Sequence, residues 1–222
     1  MGDGAVAIQL GPTESPEGHA FASVDNYTGD LALMNYQLQD VRSLIRSVVA
    51  NDQPIAPHKL FEWEVHGLQR RTVICDPGRI VTPLDFHIVG FFGDRRAGVD
   101  LSRLEFYEHR LIEDLRDHPG IVSYSSMELV HNYWANLVVH SALDDRERWN
   151  HGENHRNAVD ELSHIVYRSV RIHRAQLVGG VVGPNTVLIE FTSYWDYEAT
   201  PTWKAVRDLP GGLSINPQEP SP

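Results

Sequence analysis

The chain has 222 residues, 41% of them apolar, which suits one large packed domain or one domain with an extension. A formal charge of −11 excludes nucleic acid and anionic membrane as main partners, because both require a cationic surface. Cys75 is the only cysteine, which rules out an intrachain disulfide and a Cys-rich metal site.

Residues 1–20 are rich in Gly, Pro, Ser and Glu and read as a mobile tail. They carry no basic start and no apolar core segment, so no secretory signal is expected. No apolar run is long enough to span a bilayer. The single cysteine makes a reducing, cytoplasmic setting the expectation. Residues 30–50 predict a helix, with Leu38, Val41, Leu44, Ile45 and Val48 at helical spacing, stopped by NDQP. Residues 58–78 predict two extended segments around His66–Gly67, ending in an Asp-Pro-Gly turn. Cys75 sits there in the apolar run RTVIC and reads as buried filler. Residues 21–80 thus form an N-terminal helix with extended segments, ahead of a main domain over residues 81–200.

That domain opens with LDFHIVGFFG, residues 84–93, dense in β-branched and aromatic residues and predicted as a strand. Asp100 suits the N-cap of a helix over 101–117, whose apolar face is Leu101, Leu104, Leu111, Ile112 and Leu115. GIVSYSSMELV and NYWANLVVHS predict a strand pair joined near His131–Asn132. Residues 143–175 predict an acidic helix start, a break at Gly152, a second helix and a strand. In that helix His155 is in phase with Val159, Leu162 and Val166, on the apolar stripe. In that strand His173 is in phase with Arg171 and out of phase with Val170 and Ile172. Taken alone, the two positions also suit a core histidine bonded to a carbonyl and a surface strand residue. The turn GGVVGPN leads to a last strand, TVLIEFTSYWDY, and residues 201–222 hold too much Pro and Gly to be regular.

From residue 84 the order is β-α-β-β-α-β with one extra strand, the order of a ferredoxin-like split βαβ sheet. Both helices then lie on one face. Val170 and Ile172 belong under them, and Arg171 and His173 belong to the other face. A second copy pairing through that other face would give a dimeric α+β barrel with a cavity. A homodimer is therefore expected, since Trp134, Phe91 and Val138, or their alternates, would otherwise form a wet apolar patch.

Two stretches resemble the haem-containing aldoxime dehydratases of the dimeric α+β barrel superfamily. One is LDDRERWNHGENH, residues 143–155, similar to an acidic helix start with a Trp followed by histidines. The other is SVRIHRAQL, residues 169–177, similar to the family's distal-histidine strand. The resemblance implies a b-type haem held by His155, with Trp149 beside it, and His173 as general acid/base with Arg171 nearby. The implied activity is a haem-dependent dehydratase or lyase acting on a small N–O substrate. The cofactor-free antibiotic-biosynthesis monooxygenases and cyclases are also similar at the Trp149–His155 spacing, and a non-catalytic ligand-binding dimer is the third expectation. Outside the resemblance, His151 and His155 have metal-pair spacing on a helix, Arg95–Arg96 could hold a carboxylate, and Glu190 could face a cavity.

Overall fold

A computed structural model describes residues 6–50, 54–100 and 102–213, with the side chains of 49 and 103–105 left aside. The strands are β1 (Ile8–Leu10), β2 (Lys59–Val65), β3 (Leu68–Ile74), β4 (Phe86–Arg95), β5 (Ile121–Glu128), β6 (Tyr133–His140), β7 (Tyr167–Leu177), β8 (Val187–Asp196) and β9 (Trp203–Leu213). They form one nine-stranded sheet in the order β1-β9-β8-β7-β4-β6-β5-β3-β2. Only the β1–β9 pair is parallel. The helices are α1 (Asn26–Ala50), a short α2 (Pro77–Ile80), α3 (Ser102–Asp114), α4 (Leu143–Asn150), α5 (Glu153–Asn157) and α6 (Ser163–Val166), with a π-helical turn over Ala158–Leu162 joining the last two.

Local chemistry explains the joints. His66 and Gly67 both take positive φ and close the β2–β3 hairpin, as a two-residue primed turn requires. His131 and Asn132 also take positive φ, within the four-residue connection between β5 and β6. At the start of α3 the Asp100 carboxylate accepts the Ser102 N–H. Leu101 and the side chain of Leu104, expected on the apolar face of that helix, lie outside the described residues.

α1 covers one face of the sheet, hereafter the inner face. Tyr27, Leu31, Met34, Leu38, Val41 and Ile45 recur at helical spacing and are buried against Ile74, Ile88, Phe92, Leu137, Val139, Ala175 and Ile189. Each such side chain contributes about 1.5–3 kcal/mol on burial. Gly90 permits the close approach: a Cβ there would stand 2.8 Å from Met34 Sδ. On one flank Tyr27 bonds Thr192 and Asn35 accepts the Val187 N–H, both on β8. On the other flank Arg70 of β3 lies over the Tyr36 ring. β8 and β3 are five steps apart in the strand order. In a flat sheet that is about 24 Å, while a helix is roughly 10–12 Å across. The sheet therefore curls around α1.

α3, α4 and the α5–α6 stretch cover the opposite, outer face. Leu111, Ile112, Leu115 and Trp149 pack on Val73, Val89, Ile121 and Val138. Leu162 and Val166 pack on Val170 and Ile172, so those two residues lie under the helices as expected. Among the described residues no helix is long and apolar enough to cross a membrane.

Several expectations are corrected. Residues 8–10 are a strand of the sheet rather than part of a mobile tail; residues 1–5 lie outside the described residues. Residues 203–213 are strand β9 rather than an irregular tail; residues 214–222 lie outside. The segment 21–80 is no separate extension: α1 fills the curl and β3 joins β5. The apolar face that motivated a homodimer is occupied by α1, so the reason for expecting one does not arise. Val159, expected on the apolar stripe, is 46% exposed, because it sits in the π turn, whose extra residue shifts the phase.

Candidate functional site

The inner face carries a polar network inside the apolar core. Arg171 and His173 alternate on β7 with Val170 and Ile172 and point at α1. Arg171 Nε and Nη2 each donate to one oxygen of Asp30, at 2.8 and 2.7 Å. His173 Nε2 lies 2.9 Å from Asp30 Oδ2, and its Nδ1 lies 2.8 Å from Thr192 Oγ1. Tyr27 Oη completes the chain, bonding Thr192 and Tyr194 at 2.8 Å each. Burial works against the Asp30 charge, but the His173 bond and the Arg171 charge outweigh it and hold its carboxyl below the usual range. Burial likewise opposes the Arg171 charge, and Asp30 outweighs it, so its pKa is raised. His173 is 1% exposed. With both ring nitrogens engaged and no route to solvent, it is a core residue of this network rather than an acid/base facing a cavity.

The outer face carries the opposite arrangement. His140 ends β6 and pairs across the ladder with His87 of β4. It is 0% exposed, and neither ring nitrogen has a hydrogen-bond partner. Burial pulls its pKa down to about 3, helped by the nearby charge of Arg146 and by His87, His118 and His155. The ring is neutral. Trp149 of α4 belongs to the same outer-face cluster as Val138, with ring centroids 5.0 Å from His118 and 5.4 Å from His155. His155 is bonded to the Asn150 backbone, its Nδ1 is buried without a partner, and burial pulls its pKa down to about 4. α4 is seated close because Gly120 leaves room for Asp145, which Ser141 and Arg148 bond; a Cβ on Gly120 would collide with that carboxylate. Arg146, half-buried on the same helix, has an Nε without a partner.

The predicted site residues are therefore split. Trp149 and His155 are neighbours on the outer face, while His173 and Arg171 lie on the inner face, across the sheet. A haem cannot use His155 on one side and His173 on the other. His173 has no free nitrogen to offer, so the residues do not fit that cofactor. His151, the expected metal partner of His155, is exposed and bonds the Glu147 carbonyl. Among the described residues no group of three or more His, Cys, Asp or Glu side chains is arranged for a metal ion. Arg95 and Arg96 pair with Glu128 and Glu198, and Glu190, which is exposed, accepts from Gln176. Cys75 is buried, and desolvation pushes its thiol up to about 12, which makes it inert filler as expected. Asp30 was missed. His140 is placed by alternation on one strand face with Trp134 and Val138, but alternation does not say which way that face points or single the histidine out.

No family model matches the chain, and no curated protein matches it significantly. Two solved structures are similar to part of it. Protein SO0527 from Shewanella oneidensis is 9% identical, covering 43% of this chain and 92% of its own, with a TM-score of 0.38. PA3566 from Pseudomonas aeruginosa is 15% identical, covering 44% and 95%, with a TM-score of 0.36.

Proposed function

We propose that this chain is a cofactor-free enzyme acting on a small molecule, and that His140 is the group that accepts the substrate's proton. The observation that carries this reading is a fully buried imidazole with neither nitrogen bonded. A buried polar atom without a partner costs about 1–3 kcal/mol, and a fold retains that cost where the atom has another use. A neutral ring with a free lone pair is a base, and substrate is what would occupy its unfilled bonds. His155 and Trp149 would form the adjoining wall.

We also read residues 86–177 as a ferredoxin-like split βαβ unit. The antiparallel order β7-β4-β6-β5, with α3 and the α4–α6 stretch on one face, supports this. In such units a second copy can cover the free face; here α1 does so, and the reactive site belongs to the helix-covered face. Between the enzyme classes expected from sequence, this favours the cofactor-free monooxygenases and cyclases over a haem lyase.

The test uses an enolisable probe, phenylpyruvate, in D2O, with exchange at its acidic CH2 followed by proton NMR. The protein should accelerate exchange, and His140→Leu should lose roughly 10²–10⁴-fold of that acceleration, the usual span for a general base. Equal exchange by the wild type and His140→Leu would remove His140 from the role.

A further inference from the structure

We propose that His87 relays protons between the buried His140 imidazole and solvent, held in place by Gln176 and Glu190. The proposal rests on reading His140 as the base, and it adds the residues that return that base to its starting state. They touch no substrate and act through His140.

Strand register sets the row. His140 of β6 pairs with His87 of β4, and His87 pairs with Gln176 of β7. Directly paired residues project from the same face of a sheet, so all three side chains lie on the outer face. Their Cβ atoms stand about 4.5–5.5 Å apart at each step, within reach of one another directly or through one water. Gln176 Nε2 in turn donates to Glu190 Oε1 at 2.8 Å. Burial falls along the row: His140 is fully buried, His87 and Gln176 are half-buried, and Glu190 is exposed. The row leads out of the core one strand at a time.

The neighbouring rungs are built differently. β6, β4 and β7 share three further rungs on the outer face: Val138–Val89–Arg174, Asn136–Phe91–Ile172 and Trp134–Gly93–Val170. Each is interrupted on β4 by an apolar residue or a glycine. The other ladder partner of His140 is Ile121 of β5. Of its two ladder partners, His87 alone carries a hydrogen-bonding side chain.

A buried base needs such an exit. Burial disfavours the charged ring, so a proton taken from substrate has to leave it. Water cannot collect that proton directly from a ring with no exposed surface. Neither nitrogen of His140 is bonded, so one can meet the substrate and the other can meet the row. Imidazole suits the next position because it both accepts and donates near neutral pH. Gln176 suits the third: its carbonyl oxygen can accept a His87 N–H while Glu190 fixes its amide group. A substrate C–H proton passes to one nitrogen of His140, whose other nitrogen gives a proton to His87, and His87 gives one to water. The electron pair stays on the substrate as an enolate. A deuteron returning by the same route restores both rings, so the net change is C–H plus D2O to C–D plus HOD.

Two measurements test the relay. The first needs no substrate: exchange of the His140 ring N–H with water, followed by NMR of protein carrying isotope-labelled histidine. His87→Gln keeps a polar side chain of similar size that cannot take the proton, and it should slow this exchange about tenfold or more. Gln176→Leu should slow it less. The second is deuterium uptake by phenylpyruvate in dilute phosphate, corrected for the rate without protein. There His87→Gln should lose roughly 10²-fold, the low end for a positioned proton carrier. Added imidazole should restore the variant and leave the wild type unchanged, which a merely structural role would not produce. Unchanged ring exchange in His87→Gln, or a slow variant that imidazole does not restore, would overturn the relay. His140→Leu separates the two readings. If it takes up deuterium as the wild type does while ring exchange still depends on His87, the path stands and the base assignment is wrong.

Discussion

The two faces of the sheet each hold a buried histidine cluster, and they differ in one respect. On the inner face Asp30, Arg171, His173, Thr192, Tyr27 and Tyr194 are joined by hydrogen bonds. On the outer face His140, His155 Nδ1 and Arg146 Nε have none. A completed network fixes the position of α1 on the sheet and offers nothing to a ligand. An incomplete one costs stability without fixing anything. Polarity inside a core does not by itself mark a site; unfilled bonding capacity does.

The sharpest way to break this comparison is at Asp30. Asp30→Asn keeps the size and removes the charge, leaving the Arg171 guanidinium buried without its counter-ion. Breaking one side of a buried pair costs about 3–5 kcal/mol. Urea unfolding should show a loss of that order, with His173→Ala also destabilising because it strands Asp30 and Thr192. A loss under 1 kcal/mol at Asp30 would mean the network is wet and the inner face is open after all.

On the outer face the sign reverses. His140→Leu is similar in volume and removes two unpartnered polar atoms, so it should stabilise the protein by about 1–3 kcal/mol while abolishing proton exchange. Clear destabilisation on chemical denaturation would mean that the ring nitrogens are satisfied in solution.

The faces should also separate by pH. His140 and His155 have folded pKa values pulled from 6.5 to about 3 and about 4, so the unfolded chain binds their protons first. Stability should fall as pH drops from 6.5 towards 4, by up to about 1.4 kcal/mol per pH unit for each histidine. Asp30 is depressed below 3.8, so its contribution persists through that range and is lost only at lower pH. His140→Leu should flatten the first fall and leave the second. An unchanged slope between pH 6.5 and 4 in that variant would show that His140 is not buried neutral.

Much of the fold was legible because periodicity reports it directly. The alternation of Val170 and Ile172 with Arg171 and His173 assigned both faces of β7, and the two-residue turn at His66–Gly67 located a hairpin. What filled the inner face was not legible. Nothing local shows that α1 lies there, or that Asp30 meets Arg171, 141 residues further along the chain. β9 was hidden because Pro210, Gly211 and Gly212 lie in its second half, and because Arg207 interrupts the buried alternation of Ala205 and Leu209. The Arg207 side chain is fully buried, and its guanidinium donates to the carbonyls of Pro12, Glu14 and Ala22. The candidate site was half legible: Trp149 and His155 were singled out and are neighbours, and alternation puts His140 on the face of Val138, but nothing local says that this face lies under the helices.

The smallest expected effect concerns that same limit. Helical spacing puts Val159 on the apolar stripe with Leu162 and Val166, and a regular helix would bury all three. The π turn over Ala158–Leu162 widens the coil locally and turns Val159 outward, to 46% exposure, while Leu162 and Val166 stay at 3% and 2%. Val159→Ala then removes no buried methyls and gains slightly in helix propensity. Its unfolding free energy should match the wild type within about 0.5 kcal/mol. Leu162→Ala, three residues on, should cost about 2–5 kcal/mol by opening a cavity over Val170. If thermal unfolding ranks the two substitutions equally, the stretch is a regular helix with Val159 buried, and His155 would have to be placed anew relative to Trp149 and His140.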